Sequence, residues 1–243
     1  MAFEFCFDKL YTVEIQEYPC LYFLDGRIAK FRTVFPRIDQ MIDYRKFMGE
    51  GFCRDTFVFF KPICEGCSAC IPMRIEVDKF CPSKSQKRVL KKNKDIKITV
   101  KRAGLPTPDD EVLYAKYNKL RHPERNKDEY LQGIFNLHMG YPYSYEMRFY
   151  IEDRLIGVSI LDESMESISS AYFYWDPDFE DRSLGVYSMI QEIFYAKLSN
   201  KKYLYLGFYI RDISNMEYKS RFRPAQLYIN SEWVDFYPDF DKL

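Results

Sequence analysis

The second half of the chain carries the pattern that most limits the fold. Three runs rich in β-branched and aromatic residues, YEMRFYI (145–151), RLIGVSIL (154–161) and ISSAYFYW (168–175), are separated only by Glu152-Asp153 and by residues 162–167. Connections this short join antiparallel neighbours, so the spacing predicts a three-stranded meander. An acidic loop follows Asp176-Pro177. Then Val186, Met189, Ile190, Ile193 and Phe194 recur at helical spacing behind Arg182-Ser183-Leu184-Gly185. The apolar run YLYLGFY (203–209) reads as a buried strand. Meander, loop, helix and strand in that order predict an α+β fold with a helix packed on the sheet.

The first half reads differently. Residues 1 to about 75 suggest a small β-containing module with turns at Asp25-Gly26 and Gly49-Glu50-Gly51. TFVFFKPI (56–63) reads as a strand entering a cysteine-rich loop, and MRIEV (73–77) as a strand leaving it. Ser83, after Pro82, is placed to cap a helix in which Lys84, Lys87, Arg88, Lys91 and Lys92 share one broad face and Val89 and Leu90 anchor the other. GLPTPDD (104–110) breaks the chain, and EVLYAKYNKLR (111–121) reads as a helix stopped by His122-Pro123. We therefore expect residues 1–103 to form an N-terminal module and residues 104–243 a C-terminal domain. A chain of 243 residues, 47% of them hydrophobic, can bury a sizeable core in either arrangement.

Charge is distributed unevenly. Residues 79–102 hold ten Lys/Arg and one acid, while the remainder holds 26 basic and 35 acidic side chains, so a +9 block sits in a neutral protein. Contact with a polyanion then has to come from that block. Just upstream stands CEGCSAC, with Cys64, Cys67 and Cys70 at C-x-x-C-x-x-C spacing among seven cysteines. The N-terminal residues lack a basic segment followed by an apolar one, and no apolar run approaches the roughly 20 residues that span a bilayer. These features predict a reducing cytoplasmic setting, no membrane, and thiols that are free or metal-bound. As a zinc or iron–sulfur site the triplet needs a fourth ligand from Cys20, Cys53 or Cys81. As a reduced loop it shapes a substrate pocket.

Several segments taken together are distinctive: CLYFLDGRIAK, CEGCSACIPMRI, FCPSKSQKRVLKKN, YNKLRH, SAYFYWDP, RSLGVYSMIQEI, YLYLGFYI and MEYKSRFRP. In this order, over roughly residues 18–235, the chain resembles the aminoacyl-tRNA–protein transferases of the arginyltransferase kind, and most closely their short bacterial leucyltransferase branch. The resemblance implies a GNAT-like acyltransferase domain. It also implies a reaction in which an aminoacyl group, leucine in that branch, moves from tRNA to the N-terminal α-amine of a protein beginning with Asp or Glu, marking it as an N-degron substrate. No cofactor is implied for the transfer. The C-x-x-C pattern that eukaryotic arginyltransferases carry near the N-terminus is incomplete here, because Phe23 stands where the second cysteine would follow Cys20.

Site residues follow from the residues and the resemblance together. The basic face of Lys84, Lys87, Arg88, Lys91 and Lys92 is expected to bind tRNA, releasing counterions as it neutralises phosphates. Arg182, Ser183 and Gly185 lie where a GNAT-like fold places its phosphate-binding turn, at a helix N-terminus with unpaired N–H groups. This turn is poorer in glycine than an acetyl-CoA loop. Arg54, Arg74, Lys219 and Arg223 are candidates to read the acceptor carboxylate, with Arg88 as a further one. Asp176 is a candidate to orient the attacking amine, and His122 to act in catalysis or contact tRNA. Alternatively, Asp176 caps a turn and His122 caps a helix. An α-amine has a pKa near about 7.7–8.0, so the attack needs positioning and oxyanion stabilisation more than a strong base. Arginine as the donor, a small-molecule acetyltransferase, and a tRNA-binding module without activity are the competing readings.

Overall fold

The computed structural model describes residues 11–23, 25–36, 44–123 and 126–237; Cys6 and Leu24 lie outside the described residues. Among the described residues twelve strands form two sheets, covered by six α-helices. The smaller sheet is built from β1 (Tyr11–Pro19), β2 (Ile28–Pro36), β3 (Cys53–Asp55) and β4 (Val58–Pro62), in the order β1-β2-β4-β3, with α1 (Tyr44–Gly49) packed beside it. The expected turn at Asp25-Gly26 closes β1 on β2, with Gly26 at φ 84°. The run read as a strand over 56–63 contains β4, with residues 56 and 57 forming the turn that joins it to β3. Thr56 takes a positive φ of 54°, and Asp55 pairs with Val58 across the turn.

The larger sheet has eight strands in the order β12-β11-β5-β10-β9-β8-β7-β6. They are β5 (Ile71–Glu76), β6 (Lys97–Arg102), β7 (Ser144–Ile151), β8 (Arg154–Glu163), β9 (Ser167–Trp175), β10 (Tyr203–Tyr209), β11 (Gln226–Ile229) and β12 (Glu232–Asp235). The meander is present as β7-β8-β9, antiparallel throughout, and β10 returns parallel to β9 after the helix α5 (Leu184–Leu198). This is the α+β order of meander, helix and strand expected from the sequence. The boundary expected at 103/104 does not divide the sheets, because β5 and β6 stand in the same sheet as β7 to β12.

The remaining helices are α2 (Lys84–Lys92), α3 (Pro108–Arg121), α4 (Lys127–Met139) and the short α6 (Ser214–Glu217). Ser83 caps α2 through a reciprocal capping box with Gln86, and Thr107 caps α3 in the same way with Asp110. Alternation along β8, reset by the register shift that skips Ile156, sends its side chains to two cores. Ile156 and Leu161 join Met189, Ile190, Ile193 and Ala196 of α5, with Val89 and Leu90 of α2 packed alongside. Leu155, Val158 and Ile160 meet Leu113 and Tyr114 of α3 and Ile134 of α4 on the opposite face. Each such side chain, fully buried, contributes roughly 1.5–3 kcal/mol. Among the described residues no helix is long and apolar enough to cross a membrane.

Candidate active site

The parallel pair β9–β10 is joined only at its start. Tyr203, Leu204 and Tyr205 pair with Ser167, Ile168 and Ser169, after which β9 continues with β8 and β10 with β5. The strands part where β10 is irregular: Gly207 takes φ 70°, and Phe208 faces Pro72, which has no N–H to give. Lys219 reaches into this irregularity. Its Nζ donates to the carbonyl oxygens of Leu206 and Phe208, at 2.7 and 2.9 Å. The ammonium is buried, and burial pulls its pKa down to about 8 against the opposing fields of Cys53 and Glu192. A Cβ on Gly207 would lie 3.8 Å from Lys219 Nζ and 4.0 Å from Cys53 Sγ, so β3 of the smaller sheet roofs this point. Burial pushes the Cys53 thiol up to about 12, and the Lys219 charge only partly offsets it. Phe60 of β4 adds a ring contact to Phe208 at 5.9 Å.

On the α5 side of the sheet lies Glu192, 1% exposed. Its Oε1 accepts from Ser159 Oγ of β8 and Ser188 Oγ of α5, both at 2.7 Å, while its Oε2 is buried without a hydrogen-bond partner. Lys219 and Tyr218 both feel its charge.

The N-terminus of α5 opens beside α2. Ser183 enters the helix in the left-handed region, φ 54°, and makes no side-chain cap, so the N–H groups of Leu184 and Gly185 have no partner inside the helix. Gly185 faces open space. Asn93, at the end of α2, donates to the carbonyls of Val89 and Arg182, both at 2.9 Å, which docks the basic helix against this turn. Lys84, Lys87, Arg88 and Lys91 are exposed and make no ion pair among the described residues. A positive surface and a helix N-terminus therefore converge near a parted strand pair.

The N-terminal family model of the arginine-tRNA-protein transferases matches residues 18–88, and the C-terminal one residues 109–229. The chain is 36% identical over 226 residues to the aspartate/glutamate leucyltransferase of Saccharophagus degradans, covering 90% of this chain and 94% of that one. The enzyme of the same name from Shewanella oneidensis is 36% identical over 225 residues, covering 90% and 91%. The chain belongs to the arginine-tRNA-protein transferase family. It is thus an aminoacyltransferase. Among solved structures, FemX is similar at a TM-score of 0.45 and 9% identity, covering 83% of this chain and 80% of that one.

In this transferase the residues singled out from sequence divide into three groups. Lys84, Lys87, Arg88, Lys91, Ser183 and Gly185 share one surface, as described. Lys92 and Arg182 lie there too but are engaged: Lys92 Nζ holds Asp181 Oδ2 at 2.8 Å, and Arg182 Nη1 holds both oxygens of Asp95 at 2.8 and 2.9 Å. Lys219 is at the β9–β10 gap, buried beneath carbonyls rather than facing an open acceptor pocket.

The third group is engaged in contacts within the fold. Arg54 is buried in a two-point ion pair with Asp162, at 2.6 and 2.8 Å, and gives its remaining Nη1 to Thr56 O at 2.7 Å. It ties the two sheets together and leaves no nitrogen for an acceptor. Asp176 caps the turn after β9 through the Asp178 N–H, and pairs with Arg154 and, at 2.5 Å, with Lys116. His122 is the C-cap residue of α3, through a main-chain bond from its N–H to Asn118 O that does not involve the imidazole. Arg223 donates to the carbonyls of Ser220 and Phe236 and lies 3.8 Å over the Phe236 ring. Arg74 bonds Gln226 and Tyr205 and is sandwiched between Tyr203 and Trp233, at 3.8 and 4.3 Å. No carboxylate pairs with it among the described residues, so Arg74 keeps its candidacy.

The cysteines approach one another without converging. Tyr22 sits among Cys70, Cys53 and Cys20, and burial with these neighbours lifts its phenol to about 12. Cys64 Sγ accepts from the Lys30 N–H at 3.3 Å, and Cys67 Sγ from Arg27 Nη1 at 3.6 Å. Burial, reinforced by Cys20, Cys64 and Cys67, pushes the Cys70 thiol up to about 12. Among the described residues no three of these sulfurs come within 4.8 Å of one another. In this arrangement the sulfurs do not present the converging ligand set that a zinc or iron–sulfur site needs. Asp110, His138 and Glu146 do place ligand-type atoms within 4.8 Å, but Arg148 already bridges the two carboxylates there, at 2.8 and 2.7 Å.

Glu192 was missed from sequence, and its signal is a single residue: an acid on the apolar stripe of α5, one turn after Ser188. His138, read as lacking context, is fully buried between Glu146 and Tyr174, at 3.0 and 2.9 Å.

Proposed function

We propose that this protein transfers leucine from Leu-tRNA to the N-terminal α-amine of proteins beginning with Asp or Glu, marking them for N-degron degradation. The observation that carries the reading is the docking of an acid-free cationic helix face onto the open N-terminus of α5, beside the gap between β9 and β10. Phosphates of the tRNA 3′ end suit the first, because backbone N–H groups and the helix dipole favour anions. An ester-linked acyl group suits the second. End-to-end similarity to enzymes named aspartate/glutamate leucyltransferase supports leucine over arginine as the donor. The transfer needs no metal or cofactor in this reading. The amine attacks the ester carbonyl directly and the tRNA 3′ oxygen leaves. Arg74, with the thiol loop preceding its strand, is our acceptor-side candidate, and the setting is the cytoplasm, where charged tRNA is made.

The test is incubation with labelled Leu-tRNA or Arg-tRNA and peptides beginning with Asp, Glu, Lys or Ala. We expect label from Leu-tRNA on the Asp and Glu peptides only. Transfer from Arg-tRNA alone would replace the donor assignment, and binding of tRNA without transfer would replace the enzyme with a binding module.

A further inference from the structure

Glu192 is the one buried carboxylate of the α5 face whose environment is half finished. Two serine hydroxyls fix Oε1 at 2.7 Å each, which sets the plane of the carboxylate. Oε2 accepts nothing. Buried polar atoms are normally hydrogen-bonded, because leaving one unmatched in the interior is costly. Lys219, which feels its charge, does not complete the site, because its ammonium is given to the carbonyls of Leu206 and Phe208. The unmet oxygen calls for a small cationic donor arriving from outside the chain.

Position narrows which one. Glu192 lies eight residues into α5 from Leu184, about 12 Å along the axis. A ligand whose phosphate rests on the helix N-terminus would thus bring to Glu192 whatever lies one nucleoside and one short ester further on. In an aminoacyl-tRNA that group is the aminoacyl unit, and its one fixed cation is the α-ammonium. The α5 stripe is otherwise apolar, with Met189, Ile190 and Ile193 buried beside Glu192.

We propose that Glu192 Oε2 receives the α-ammonium of the aminoacyl donor, with Ser159 and Ser188 as positioning residues that hold the carboxylate for it. This rests on the transfer reading above and deepens it. The site recognises a group common to every aminoacyl ester, so it enforces that the donor is an amino acid; the side chain is selected elsewhere. It also orients the ester carbonyl, because fixing the ammonium and the ribose end leaves the bond between them little freedom.

The experiment compares Leu-tRNA with the same tRNA esterified to 2-hydroxy-4-methylpentanoate, which keeps the side chain and replaces the ammonium by a hydroxyl, each rate being taken relative to the ester's uncatalysed aminolysis. The acceptor is a peptide beginning with Asp. For the wild-type protein we expect kcat/KM about 10- to 100-fold lower with the hydroxy ester, the range for losing a charge-assisted hydrogen bond. Glu192→Gln should lose a similar factor with Leu-tRNA and little with the hydroxy ester, so the two donors become nearly equivalent. Ser159→Ala should narrow the ratio in part. Equal use of both esters by the wild type overturns the proposal, and that ratio decides even if Glu192→Gln does not fold. An equal loss on both esters in Glu192→Gln overturns it as well, since that is the mark of a structural residue or of a base for the acceptor amine. Preference for Arg-tRNA that disappears in Glu192→Gln would assign the carboxylate to the donor side chain instead. Transfer from neither ester by the wild type overturns the transfer reading itself, and this inference with it.

Discussion

Two polar clusters are buried on opposite faces of the same sheet, and they are finished to different degrees. Under α3 and α4, Arg148 bridges Asp110 and Glu146, His138 joins Glu146 to Tyr174, and Thr107 gives both its N–H and its hydroxyl to Asp110. Between α5 and the gap, Glu192 keeps one oxygen unmet and Lys219 is an ammonium surrounded by carbonyls and a thiol. A buried network in which every group is satisfied fixes one packing arrangement. A network left incomplete at a break in strand pairing lacks a partner. The contrast separates the two more sharply than burial or charge, since both clusters are buried and both hold ionisable groups.

The largest effect should come from breaking the finished cluster. Arg148→Met leaves Asp110 and Glu146 facing each other, and we expect about 3–5 kcal/mol of lost stability in urea or thermal unfolding. The variant should keep its donor preference in whatever fraction remains folded. Next, joint replacement of Lys87, Arg88 and Lys91 by Glu should abolish tRNA binding with the melting temperature nearly unchanged. The slope of log affinity against log salt should fall by about 2–3; unchanged binding would remove α2 from the interface.

Lys219 tests the unfinished side. Its pKa is lowered on folding, so the unfolded chain binds more protons between about pH 8 and the ordinary lysine value. Its unfavourable contribution to stability is therefore fully present below pH 8 and is relieved as pH rises above it, by on the order of 3 kcal/mol at most. Lys219→Met should flatten that rise in a stability-against-pH series and lower turnover. An unaltered pH series would show the ammonium to be solvated.

The smallest effect concerns acid. Burial raises the Glu146 carboxyl, but hydrogen bonds from His138 and Arg148 outweigh it and hold the group at about 2. Its stabilisation is present above its ordinary value and lost as pH falls toward 2. Glu146→Gln should cut the acid-induced loss in that window, read by circular dichroism.

What the sequence made legible was local. The meander, α5, β10 at 203–209 and the Ser83 cap follow from periodicity and capping chemistry over a few residues. The edge strand β6 was hidden because Lys97 and Lys101 continue the charge of α2, so a strand read as more of a basic block. Helix α4 and the β11–β12 hairpin carry weak patterns and are fixed by packing. The site was legible where charge announced it, on α2, and illegible where it depends on strands parting. Arg54 and Asp176 illustrate the limit: each is an ionisable residue in a distinctive motif, and a partner distant in sequence, Asp162 for one and Arg154 and Lys116 for the other, decides that it holds the fold.

The Arg54–Asp162 pair has a mechanical consequence. Cys53, which stands over Gly207, is the residue next to Arg54, so the ceiling of the gap is bolted one residue from where it closes. Raising the smaller sheet would pull a guanidinium and a carboxylate apart in the interior, at several kcal/mol. The ceiling is fixed masonry, anchored from β3 to β8 across the two sheets.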